Sequence, residues 1–250
     1  MQFRTLTTAV LLFLAAGICS DVAVAGTPGR KQEGVGTDRT RYIYPEGAGP
    51  LGVTLRQYAK ESYLVQARVR GLNPVTGEGE EVSAPFFIKQ PLVKTMPGGR
   101  YGFQVIQTKP VMVKDRESVY LLSFTFIPSE KKDDPKASQT ARAVLVMTWN
   151  VKLFYRPLKL KDGKVAKAAE ALTFSRQGST LRVNNPTPYW ITFNSLKVGA
   201  VPLPDGALRR MVPPFAGVDY ALPATANAGS VTWRIINEDG DVTDAVTTPL

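Results

Sequence analysis

Residues 141–157, ARAVLVMTWNVKLFYRP, constrain this chain more tightly than any other stretch. The segment opens as a β-rich apolar run through Ala143, Leu145, Met147 and Trp149. It passes into Lys152-Leu153-Phe154-Tyr155-Arg156 and stops at Pro157. Side chains alternate along a strand, so Ala143, Leu145, Met147 and Trp149 share one face. The opposite face, Val144, Val146 and Thr148, is also largely apolar, and periodicity alone does not choose between them. A strand this long and hydrophobic belongs in the middle of a sheet, buried on both faces. At an edge it becomes a surface awaiting a strand from another chain.

The rest of the chain is written in the same idiom. Short runs rich in Val, Leu, Ile, Tyr, Phe and Thr alternate with Gly, Pro, Asn and Asp clusters, and no long amphipathic helical pattern interrupts them. This spacing predicts an all-β fold of sandwiches. Candidate strands at 39–44, 52–57, 63–70, 86–89, 92–95, 102–108, 118–126 and 143–155 complete one sandwich by about Arg156. A second series, at 171–175, 180–184, 189–198, 210–212, 218–222 and 230–237, completes a smaller one. The expected domains are 1–25 as a leader, 26–156, and 157–250, hinged near Arg156–Leu158. The polar segments 26–37 and 129–140 are expected to be mobile connections.

The leader reading rests on Arg4, an apolar core from Leu6 to Ile18, and Ala23-Val24-Ala25, an A-x-A cleavage site before Gly26. That core is too short to span a bilayer. Ile18 before Cys19 argues against a lipoprotein signal. The expectation is an exported protein, cleaved after Ala25, whose mature form is not inserted in a membrane.

Residue types that are missing narrow the function. Cys19 is the one cysteine and leaves with the leader, and the chain has no histidine. Ser-His-Asp and Cys-His catalysis, Cys/His zinc sites and the usual proton shuttle are thereby excluded. Carboxylate or lysine chemistry stays open, but the chain is expected not to be an enzyme and to hold no Cys/His metal site. Its net charge of +10 suits anionic partners or simple solubility. The basic residues form no block longer than two and no RNA-binding motif, so nucleic acid is not an expected partner.

Several motifs then coincide: Asp38-Arg39-Thr40-Arg41, Met96-Pro97-Gly98-Gly99, Asp115-Arg116-Glu117-Ser118, Lys152-Leu153-Phe154-Tyr155-Arg156-Pro157, Asn185-Pro186-Thr187-Pro188-Tyr189 and Ile235-Ile236-Asn237-Glu238-Asp239-Gly240. In order and spacing the chain resembles periplasmic pilus chaperones of the PapD-like family over nearly its whole mature length. The resemblance implies two immunoglobulin-like β-sandwich domains in an L-shaped arrangement, no cofactor and a periplasmic location. It implies a chaperone of pilus or fimbrial subunits that lends its own strand to a subunit's open sandwich and delivers it to an outer-membrane usher. The donor phase is assigned by resemblance to Ala143, Leu145 and Met147, with Trp149 as its extension. Arg41 and Lys152 match the cations that hold the subunit's C-terminal carboxylate. Glu117, Arg156 and Glu238 match an interdomain salt-bridge cluster, in which Glu238 replaces the usual Asp and Asp239 is a neighbouring candidate. A self-capping homodimer is a further expected partner, because a free edge invites pairing.

The linker 129–140 and the segment 26–37 are longer than in compact relatives, and the disulfide typical of long-loop members is missing. Ser123 stands where Asn is common. Asn185-Pro186-Thr187-Pro188 reads as a structural loop with Pro186 and Pro188 as candidate cis sites. The alternative class is a secreted two-domain adhesin or fibre component, which would need its own donor extension.

Overall fold

The computed structural model describes residues 34–74, 76–129, 145–161, 163–226 and 229–250. Residues 33–250 form one compact unit built of two β-sandwiches. In the first, one sheet has the order β1 (Val35–Thr37), β3 (Leu51–Gln57), β8 (Arg100–Gln107), β6 (Phe86–Lys89). The facing sheet runs β2 (Arg41–Pro45), β10 (Met147–Arg156), β9 (Ser118–Pro128), β4 (Tyr63–Leu72), β5 (Gly79–Ser83), and β7 (Leu92–Thr95) also pairs with β4. In the second sandwich, β11 (Thr173–Gln177), β12 (Thr180–Asn185) and β15 (Ala216–Ala221) face β14 (Val201–Pro202), β13 (Phe193–Val198), β16 (Ser230–Ile235) and β17 (Val246–Pro249).

Alternation builds each core. In β3, Val53, Leu55 and Gln57 are buried, while Gly52, Thr54 and Arg56 are not. Val53 and Leu55 join Val65, Ala67, Phe103, Val105, Phe124 and Phe126 in the first core. Aromatic edges lock that layer, with Phe103 and Phe124 centroids 5.3 Å apart and T-shaped. The second core is separate and gathers Leu181, Val183, Ile191, Leu196, Val218 and Trp233.

A third cluster joins the two sandwiches: Leu72, Leu121, Phe154 and Met211, flanked by Ile43, Val119 and Trp190. It explains why Phe154, on the face of β10 that also carries Lys152 and Arg156, is buried. Val151, Leu153 and Tyr155 enter the first core, and Phe154 on the other face fills the seam between domains. This half of the strand is therefore covered on both faces, with Lys152 and Arg156 flanking Phe154 on the second.

Several expectations are corrected. Residues 35–37, expected to be mobile, form β1, because three residues are too few to show a period. The strand expected at 210–212 reduces to a single bridge between Ile191 and Val212. Strands β5, β14 and β17 went unpredicted, as did the short helices Val165–Ala168 and Asp205–Leu208. No cis peptide bond occurs among the described residues. The NPTP loop is held instead by Asn185, fully buried. Its amide nitrogen donates to the carbonyls of Tyr189 (2.7 Å) and Pro213 (3.0 Å), and its oxygen accepts from the Thr187 amide (3.0 Å) and hydroxyl (2.7 Å). Such a network satisfies a buried amide completely.

Candidate functional site

The upper half of β10 stands at an edge. Met147 to Tyr155 pair antiparallel with β9, from Met147 opposite Phe126 to Tyr155 opposite Ser118. On its other side β10 pairs with β2 only from Lys152 opposite Arg41 to Arg156 opposite Pro45, in a parallel ladder. Met147 to Val151 therefore have no strand on that side among the described residues. The side chains agree: Leu145 is 84% exposed, and Met147 and Trp149 are 43% each. These residues share the phase of Val151 and Leu153, which lie in the first core. Trp149 is thus outside the protein's own core. Ala143 lies outside the described residues.

The free edge ends at two cations. Arg41 is buried, donates from one terminal nitrogen to the Ile236 carbonyl at 2.8 Å, and lies 5.5 Å over the Phe154 ring. Burial pushes its pKa down to about 10, against a smaller opposing pull from Glu117 and Glu238. Lys152 sits beside it in the ladder and makes no hydrogen bond or ion pair among the described residues. Burial, and then the Arg41 charge, lower its pKa to about 8. Two largely buried cations without a dedicated carboxylate form a site that favours an anion.

Behind this site lies a buried charged hub. The Arg156 guanidinium meets the Glu117 carboxylate at 2.8 Å through Nε and 2.7 Å through a terminal nitrogen. It lies 3.6 Å from Glu238 and 5.1 Å over the Tyr189 ring. Glu238 in turn accepts from the Val165 amide at 2.6 Å. Of the two neighbouring acids, Glu238 is the one at the hub, while the Asp239 amide donates to Asn237. Burial raises the Glu117 pKa, and Arg156 opposes that shift.

Sequence reasoning missed Trp190 as a hub member. Its backbone amide donates to the Glu117 carboxylate at 3.1 Å, and its indole N–H to the Glu117 carbonyl at 3.0 Å. The NPTPYW motif contains this residue, but nothing local indicates a partner far back in the chain. Arg116, next to Glu117, also crosses the seam: its guanidinium lies 5.1 Å over Phe215. No group of acidic, histidine or cysteine side chains among the described residues is arranged to hold a metal, and no helix among them is long and apolar enough to cross a membrane.

Comparison with known proteins places this architecture. Residues 34–161 match the family model described as pili and flagellar-assembly chaperone, PapD N-terminal domain. Residues 167–247 match the model of the pili assembly chaperone PapD C-terminal domain. The probable fimbrial chaperone LpfB of Escherichia coli O157:H7 is 32% identical over 216 residues, covering 86% of this chain and 88% of the relative. The chaperone protein PsaB of Yersinia pestis is 30% identical over 258 residues, covering 94% and 91%. Among solved structures, the Salmonella enterica SafA pilin in complex with the SafB chaperone contains a chain 25% identical with a TM-score of 0.74, covering 88% of this chain and 98% of that one. The E. coli chaperone DraB shares the fold at a TM-score of 0.73 and 24% identity, covering 87% and 98%. Both halves match chaperone models, and the adhesin reading finds no counterpart in them. The chain is a member of the PapD family of pilus-assembly chaperones of the chaperone–usher pathway.

Proposed function

We propose that this chain captures pilus or fimbrial subunits in the periplasm by adding the free edge of β10 to a subunit's incomplete sandwich, then delivers them to an outer-membrane usher. The observation that carries this reading is an unpaired strand edge that ends at two cations lacking a dedicated carboxylate. The directions agree as well. Strand β2 runs parallel to β10 and begins at Arg41. An incoming strand that occupies the same lane, with its C-terminus at Arg41 and Lys152, also runs parallel to β10.

The carboxylate fixes register, which matters because a slip of one residue turns every side chain to the wrong face. Leu145 and Met147, and with them Ala143 and Trp149, then cover the subunit's apolar interior. Full burial of Leu145 and Met147 contributes about 1.5–3 kcal/mol each. In the free protein the same edge can be covered by a second copy. The hub of Arg156, Glu117 and Glu238 sets the angle between the domains, and the Ala25 leader site supports export.

Co-purification with the cognate fibre subunit tests this reading, with wild type compared against Lys152→Ala. Complex with wild type and none with the variant supports it. Equal yields remove Lys152 as anchor, and no complex in either case overturns capture itself.

A further inference from the structure

The free edge of β10 exists because the chain changes sheets at Asp38. The ladder between β2 and β10 pairs Arg41 with Lys152. Continued straight, that register would set Val35 opposite Val146, Gly36 opposite Met147, and Thr37 opposite Thr148. The strand would then cover the donor edge with the protein's own backbone. Instead β1 crosses to the other sheet, where Val35, Gly36 and Thr37 pair with Gln57, Arg56 and Leu55.

Asp38 sits at the crossing and holds both sides. Its amide donates to the Thr54 carbonyl at 2.9 Å. One carboxylate oxygen, Oδ1, accepts from the Thr54 amide of β3 at 2.9 Å and from the Tyr42 hydroxyl of β2 at 2.6 Å. Tyr42 is buried in the first core, and this bond supplies its hydroxyl with an acceptor, while burial raises the phenol's pKa. The far end of β1 is held separately, by the Tyr58 and Ala59 amides on the Gly34 carbonyl.

We infer that Asp38 is a positioning residue for subunit capture: its carboxylate oxygen pins the chain to β3 and so keeps the β2 lane beside β10 vacant. This rests on the strand-addition reading above. The role needs an acceptor oxygen rather than a charge, because both bonds end on the same atom. A side chain that keeps that oxygen keeps the crossing. One that lacks it lets β1 pair with β10 and close the site from within. Asp38 is exposed, so its replacement removes no apolar side chain from the core.

Hydrogen exchange on the free protein tests the crossing without any ligand. In Asp38→Ala, amides of 146–150 are expected to slow by about tenfold or more, while those of Leu55 to Gln57 speed up. Asp38→Asn should match wild type, and Tyr42→Phe, which removes one of the two bonds, should fall between. A second readout is binding of a labelled peptide of about ten residues, alternating valine and serine, with a free C-terminal carboxylate. Its affinity should fall about tenfold in Asp38→Ala and be restored in Asp38→Asn. Wild-type exchange in Asp38→Ala, or a loss in Asp38→Asn equal to that in Asp38→Ala, overturns the assignment. If the exchange pattern holds while wild type binds no peptide, the crossing role stands and the strand-addition reading falls.

Discussion

Lys152 lies directly across the parallel ladder from Arg41, and the two cations face the end of an unpaired edge with no carboxylate between them. Burial and the Arg41 charge bring the Lys152 pKa down to about 8, from an ordinary lysine value of 10.5. Between about pH 8 and 10.5 the unfolded chain therefore binds more protons here than the folded one. Stability contributed by this group rises with pH across that window. Capture behaves oppositely, since a bound carboxylate favours the charged amine. Subunit affinity is expected to fall above about pH 8, by at most about tenfold per pH unit. Calorimetric titration against denaturation across pH 7–10 would show the two trends diverge; affinity independent of pH excludes Lys152 as the charged anchor.

The same cost predicts that Lys152→Met raises stability at pH 7 by about 0.5–2 kcal/mol while abolishing capture. Urea denaturation beside a binding assay checks this. A loss of stability would mean that the amine has a structural partner.

Breaking the hub is expected to be severe. Arg156→Ala strands the buried Glu117 carboxylate and should cost about 3–5 kcal/mol. The double replacement Arg156→Met with Glu117→Leu should cost less than Arg156→Ala alone, because the most deeply buried carboxylate is then removed with its partner and only the more exposed Glu238 loses a contact. Denaturant midpoints for Arg156→Met, Glu117→Leu and the double give the coupling. Additive effects would deny that the pair acts as one unit.

Gly240 holds φ at +92°, and a β-carbon there would clash with the Thr40 hydroxyl across the domain seam. Gly240→Ala is expected to destabilise by about 1–2 kcal/mol through the left-handed backbone alone, with an added contact penalty. Thr40→Ala in the same chain should recover the contact part and leave the backbone part. Thermal melts of the singles and the double separate the two.

Leu145→Ser and Met147→Ser should leave folding stability within about 0.5 kcal/mol of wild type, since both side chains are exposed. Each should weaken subunit binding by about tenfold or more, from the apolar burial lost. A melt shifted as far as the affinity would place these side chains in the protein's own core.

Much of this protein was legible in one dimension. Alternating apolar residues bounded by Gly and Pro specify sandwiches, because a strand buries one face and a turn must follow. The proximity of Lys152 to Arg156 is also local, whereas the phase of Leu145, Met147 and Trp149 is not, because the Val144, Val146 and Thr148 face is nearly as apolar. Other features depend on distant partners. Whether β10 is an edge depends on where β2 begins and on the crossing at Asp38. The low pKa of Lys152 needs the burial and the second cation that only folding brings. Trp190 became a partner of Glu117 across the seam. Local sequence determines which face of a strand is apolar. Which side of that strand is left open is set by neighbours far away in the chain, so only the tertiary structure decided it.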